Sequence, residues 1–165
     1  MAENGVDLII MDSVAALVPK VENEADMASQ QMGLQARLIG KGLRKCTKVI
    51  ARNNTALVFT NQLRLKIGVL YGNPETTTGG KALPYFCSIR ISLNNIGNVG
   101  EDSSGEKISR VVRARIVKNK TFPPFKIAEF TINFGTGIDN VASYLEGAFD
   151  YGIFEKAGSW IKIYG

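Results

Sequence analysis

The run Val6-Asp7-Leu8-Ile9-Ile10-Met11 is nearly continuous in apolar side chains and stops at Asp12-Ser13. That pattern predicts a strand buried in a parallel sheet, with a carboxylate at its tip. Thr55-Ala56-Leu57-Val58-Phe59-Thr60 repeats the plan and ends in Asn61-Gln62. Between the two, residues 19–30 hold Pro19 and the acids Glu22, Glu24 and Asp26 without any period, and read as a loop. From Gln30 to about Arg52 the apolar positions Met32, Ala36, Ile39, Leu43, Cys46 and Ile50 recur at three- and four-residue steps. This spacing predicts a helix that packs one face on the sheet.

Residues 64–81 contain four Gly, one Pro and three consecutive Thr, and read as a long loop of the kind compact domains keep for function. Further strands are predicted at Cys87–Leu93, Val111–Val117 and Ala128–Phe134, with alternation clearest in Ile89-Arg90-Ile91-Ser92-Leu93. The polar, Gly-rich stretch Gly97–Lys107 predicts a surface hairpin loop, and Ile138, Val141, Leu145 and Ala148-Phe149 predict a helix over Gly137–Tyr151. Trp160-Ile161-Lys162-Ile163-Tyr164 reads as a last strand. In open α/β sheets ligands sit beyond the carboxyl ends of the strands, which would put Asp12, Ser13, Asn61 and Gln62 around one crevice.

Composition narrows the chemistry. The chain has 165 residues, 45% of them apolar, two cysteines and no histidine. A chain of this size buries about two-thirds of its unfolded surface without help from disulfides or a structural metal. The lack of histidine removes Ser-His-Asp and Cys-His nucleophiles, His-ligated zinc and imidazole switching. Cys46 and Cys87 are not in a CxxC pair, which argues against a disulfide framework or zinc ribbon and for a reduced, cytoplasmic protein. No apolar run approaches the ~20 residues of a membrane span, and the first residues lack the basic start of a signal peptide, so no membrane partner is expected.

Charge is more informative in its distribution than in its net value of +5. The predicted helix carries Arg37, Lys41, Arg44, Lys45, Lys48 and Arg52 with no acid, the pattern of a solvated outer face or of an anion-binding surface. Asp12 at a strand tip has the hard oxygen that Mg²⁺ near a nucleotide phosphate requires, although carboxylates also end strands as turn and cap residues. In the Gly/Thr loop, glycines would let backbone N–H groups approach an anion, hydroxyls would donate to phosphate oxygens, and Arg64, Lys66 and Lys81 would supply charge. A flexible surface loop has the same composition. Tyr71 and the aliphatic residues beside it could insert between or stack on unpaired bases. Lys118-Asn119-Lys120, by itself, reads as a charged turn.

Taken together, the segments 8–17, Met32-Gly33-Leu34-Gln35-Ala36-Arg37, residues 60–69, Gly72-Asn73-Pro74-Glu75-Thr76-Thr77-Thr78-Gly79-Gly80 and Val117-Lys118-Asn119-Lys120 resemble the bacterial RecA recombinase family, phage relatives included, in order and spacing. The resemblance implies an α/β fold, a partial RecA-like P-loop ATPase core with a central, mostly parallel sheet, antiparallel edge strands and flanking helices. Residues 1–136 would be the partial core and 137–165 the start of a C-terminal lobe.

It further implies that Asp12, with Ser13, serves the Mg²⁺ of ATP indirectly and that Gln62 senses the γ-phosphate. The segment around Glu22–Met32 and residues 64–80 match the family's two DNA-binding loops. Met32, Gly33, Arg37 and Arg44 would meet single-stranded DNA from the first site. Arg64, Lys66, Ile67, Gly68, Thr76, Thr78, Gly79 and Gly80 would meet it from the second. Lys118 and Lys120 match lysines that reach a neighbouring subunit's ATP across a filament interface.

Departures are as telling. The 165 residues contain no GxxxxGK[ST] and no segment for the catalytic Glu, both expected upstream of the position matching Met1, so ATP and Mg²⁺ are not expected to bind tightly to this chain alone and it should not hydrolyse ATP. Gly40 stands where the family has a Ser, Lys81 replaces an Asn, and Pro84-Tyr85 replaces a Lys-Phe pair at the filament interface. The implied parent function is ATP-dependent filament formation on single-stranded DNA for recombination, repair and the SOS response to DNA damage. The alternatives are a non-catalytic DNA-binding or regulatory module, and one half of a split recombinase whose P-loop half is a separate chain.

Overall fold

The computed structural model describes residues 5–19, 33–65, 68, 71, 72 and 74–163. The chain divides after Cys87 into two compact units. In the first, β1 (Leu8–Met11) lies parallel to β2 (Ala56–Phe59), with Leu8 opposite Ala56 and Met11 opposite Phe59. The crossover between them contains a short 3-10 turn at Val14–Ala16 and helix α1 (Leu34–Arg52). A crossover of this length is what a parallel pair demands. The pair is knitted at its entry by the Thr55 hydroxyl donating to Val6 O at 2.6 Å, and at its exit by Val14 N donating to Thr60 O at 3.0 Å.

Helix α1 begins after Gly33, whose φ of 75° is the left-handed region that glycine tolerates best, and carries Arg52 in its last turn, where the helix dipole favours a cation. Of the face expected to pack on the sheet, Ile39 and Leu43, one turn apart, meet Val14, Leu83 and Phe59. Met32 lies outside the described residues. Further along, α1 and the inner face of the pair stand apart and leave an apolar cleft of about 410 Å³ lined by residues including Ile9, Met11, Leu57, Cys46 and Ile50. The strands are therefore half-covered rather than buried: Leu8, Ile10 and Val58 on the other face are exposed.

The stretch 64–81, expected as a loop, holds most of a hairpin. Strand β3 (Leu63–Leu65) pairs antiparallel with β4 (Glu75–Thr77), and helix α2 (Ala82–Phe86) follows, sending Leu83 into the core.

The second unit is a four-stranded antiparallel sheet in the order β5 (Ile89–Glu101), β6 (Lys107–Asn119), β7 (Ile127–Asn133), β8 (Gly137–Ile138). The expected loop at Gly97–Lys107 shrinks to the turn 102–106. Both strands run on through it because Asn95, Gly97 and Val99 still find ladder partners on β6, helped by a bulge between Asn95 and Gly97. Arg113 and Glu129 face each other across β6 and β7 with Nε 2.6 Å from Oε1. Inside this sheet Val112 and Ser109 are buried, and the Ser109 hydroxyl donates to Val99 O.

Helix α3 (Asn140–Asp150) is capped by Asp139, whose carboxylate accepts from Ala142 N at 2.9 Å. A hairpin of β9 (Phe154–Ala157) and β10 (Trp160–Ile163) follows, so the expected last strand has a partner that the sequence pattern did not announce.

The fold is mixed α/β, and it corrects one expectation. β1 and β2 are the parallel pair, while the other ladders among the described residues are antiparallel. Hairpin connections impose that direction within the antiparallel ladders, whereas the long, helix-bearing stretch from Asp12 to Thr55 returns β2 parallel to β1.

Candidate nucleic-acid interface at the strand tips

Because β1 and β2 run in register, Asp12 and Thr60 leave their strands side by side. The Thr60 hydroxyl donates to Asp12 Oδ1 at 2.6 Å, which fixes the carboxylate at the carboxyl edge of the pair. Ser13 follows through a cis peptide bond and is half-buried, while Asp12 itself is exposed. No cluster of three His, Cys, Asp or Glu occurs among the described residues. One exposed carboxylate held by a hydroxyl suits Mg²⁺ reached through water and does not suit a cation caged by protein oxygens.

Gln62 is exposed on the same edge, its N–H accepted by Asn61 Oδ1 at 2.9 Å. Asn61 also ties down the return end of the hairpin: its Nδ2 donates to Thr78 O, and its Oδ1 accepts from the Thr78 hydroxyl, both at 2.9 Å. Within the stem Arg64 lies opposite Thr76, so their side chains share a face. Past Thr78 the chain presses onto α1. A Cβ on Gly79 would lie 2.9 Å from Ile39 Cδ1, and one on Gly80 would lie 2.7 Å from Ala36 Cβ. Only glycine permits that approach.

A second, more polar cleft of about 400 Å³ opens here, and Gly33, Gln35, Arg64 and Thr78 line it. Its wall is braced by the Gln35 carboxamide, which donates to Leu17 O at 2.8 Å and Val14 O at 3.3 Å. The first and second expected DNA sites thus meet in one place at Gly33, Arg64 and Thr78. Arg37 lies exposed in the first turns of α1, with Arg44 about two turns further on. Gly68 is exposed with φ 83°; Met32, Lys66 and Ile67 lie outside the described residues.

Lys118 and Lys120 belong to the second unit. Lys118 is half-buried opposite Arg90 in the ladder, and Lys120 is exposed just past β6, its N–H donating to Ser88 O at 3.0 Å. Asn119 between them accepts from the amides of Thr121 and Phe122, which turns the chain where β6 ends. The strand-tip pattern pointed to Asn61 and Gln62 as crevice residues, but nothing in the sequence announced the Asn61–Thr78 or Gln35 contacts, which join residues seventeen or more positions apart.

A parallel strand pair with a carboxylate on its carboxyl edge, beside a glycine-rich basic hairpin, defines an α/β domain whose ligands gather at the strand tips. Comparison narrows that class. The RecA N-terminal domain family model matches residues 1–139, and the chain belongs to that family. It is 50% identical to Protein RecA of Thermus thermophilus over 98% of its own length and 48% of the relative's. Against Protein RecA of Borrelia hermsii it is 48% identical over 96% of its own length and 45% of the relative's. The chain thus spans a little under half the length of the curated relatives it matches.

Proposed function

We propose that this chain is the DNA-holding part of a recombinase: it binds single-stranded DNA within an ATP-dependent filament that carries out homologous pairing in recombination and repair. The observation that supports this most directly is the convergence of Arg64, Thr78 and Gly33 on one polar cleft beside the strand tip that carries Asp12. Arg37 and Arg44 add charge for phosphates, while Thr76, Gly68, Gly79 and Gly80 line the strand without reading its bases; the family resemblance assigns Lys66, Met32 and Ile67 to the same strand. Affinity then comes from phosphates, and sequence selection is left to base pairing.

In this reading residues 1–136 are part of the ATPase core and 137–165 open a further lobe. ATP with Mg²⁺ would supply the charged phosphoryl group whose presence Gln62 senses. Asp12 and Ser13 orient water at the edge where that cation would sit. Lys118 and Lys120 offer two ammonium groups to the nucleotide of a neighbouring copy, placed to offset charge that builds on phosphate oxygens. The 165 residues hold no phosphate-cradling loop, so nucleotide turnover is not expected of them alone; the reading needs no separately encoded P-loop half. Both cysteines are free thiols, in keeping with a cytoplasmic protein, and no described helix is long and apolar enough to cross a membrane.

The test is fluorescence anisotropy of a labelled oligo-dT titrated with the chain across a salt series. Arg37→Ala combined with Arg64→Ala should weaken binding and reduce the magnitude of the slope of log K against log salt by about 1.4, two phosphate contacts at about 0.7 each for a single strand. An unchanged affinity and slope would reject the interface.

A further inference from the structure

We propose that Asn61 is a positioning residue that locks the base of the DNA hairpin to the tip of β2; this rests on the reading that the hairpin holds the single strand. The β3–β4 stem is three residue pairs long. A two-stranded ladder that short is marginal in water, so its order has to come from its ends. One end is closed by Asn61, which is half-buried and makes three hydrogen bonds of 2.9 Å: Nδ2 to Thr78 O, and Oδ1 from the Thr78 hydroxyl and from Gln62 N.

The pairing with Thr78 needs a donor and an acceptor on one planar group, which among side chains of this length only a carboxamide supplies at neutral pH. Immediately beyond Thr78, Gly79 and Gly80 abut Val14, Ile39 and Ala36, leaving the strand no room to slip. Asn61 also sits between Thr60, which holds Asp12, and Gln62. The clamp therefore sets the distance and register between the phosphate-facing hairpin and the edge that carries Asp12 and Gln62.

The experiment uses the full 165-residue chain and two readouts, amide hydrogen exchange and anisotropy of fluorescein-labelled oligo-dT. In Asn61→Ala, exchange at Leu63–Leu65 and Glu75–Thr77 should rise about tenfold while Leu8–Met11 and Ala56–Phe59 stay at the wild-type rate. Oligo-dT affinity should fall about tenfold with its salt slope unchanged, because no cation has been removed.

Asn61→Asp separates hydrogen bonding from shape. It keeps the size of the side chain, but its carboxylate, facing Thr78 O, cannot donate at pH 7.5, so stem exchange should rise as in Asn61→Ala while β1 and β2 stay at the wild-type rate. Stem exchange unchanged in Asn61→Ala, loosening spread equally to β1 and β2, or an Asn61→Asp variant that exchanges like the wild type would each overturn the proposal. If the wild type binds no oligo-dT, the DNA-holding reading fails, and the exchange data still decide the clamp.

Discussion

Asp12 and Asp102 both follow a strand, and their partners give them different work. Asp102 turns β5 into β6: its carboxylate accepts the Ser104 hydroxyl at 2.6 Å and the amides of Ser104 and Glu106 at 2.8 and 2.9 Å. Those donors, the Ser104 hydroxyl foremost, hold its pKa below the usual aspartate value of 3.8. A carboxyl whose pKa falls on folding stabilises the fold above the unfolded pKa, and that contribution is lost as the pH drops through the lowered folded value. Asp102→Asn keeps the shape and removes the charge. Urea midpoints of the wild type and Asp102→Asn should therefore differ at pH 7 and converge below about pH 4. A constant gap down to pH 3 would mean the charge is not what the turn uses. At this scale the sequence was legible wherever a side chain acts through its place on an element. Asp12 could be put at a strand tip from Leu8–Met11 alone. Its Thr60 partner, and the Asn61–Thr78 pair, depended on which strands would lie side by side.

Among the elements, α1 was legible because Ile39, Leu43, Cys46 and Ile50 keep helical spacing for about three turns, whereas the β3–β4 hairpin was hidden by its own composition. Glycines and threonines read as loop, and a three-pair stem is too short to show alternation. The parallel-sheet expectation failed beyond β1 and β2 because an apolar run specifies a strand without specifying its direction; the length of the connection does that. The structure gives the hairpin's glycines distinct jobs. Gly80 has φ 72° and no space for a Cβ against Ala36, while Gly72 has φ 88° and open surroundings. Gly72→Ala should cost about 1 kcal/mol from backbone strain alone. Gly80→Ala adds a clash on a rigid helix and should cost about 2–4 kcal/mol, read as a shift of the urea midpoint at constant m. Equal costs at the two sites would mean that the hairpin does not dock on α1 as described.

For the molecule as a whole, the apolar ledger is unbalanced. Among the described residues the buried apolar side chains are Val14, Leu43, Leu83 and Val112. Against them stand Ile10 at 61% exposure on the uncovered face of the parallel pair, Leu93 at 60% on the edge strand β5, and Trp160 at 80% on β10. Folded domains scatter single exposed apolar residues, but whole uncovered strand faces belong to surfaces that meet something else. The curated relatives are more than twice as long as the part this chain matches. The chain by itself should then expose sticky strand faces on units that still unfold cooperatively. The expected result is binding of the dye ANS at neutral pH and self-association rising with concentration in sedimentation velocity. Electrostatic repulsion at +5 is too small to prevent that association, and added salt should promote it by screening the charge. No dye binding and a monomer at every concentration would show instead that these faces are not open in solution. The loss of oligo-dT binding would then have to be traced to the cleft residues rather than to the fold.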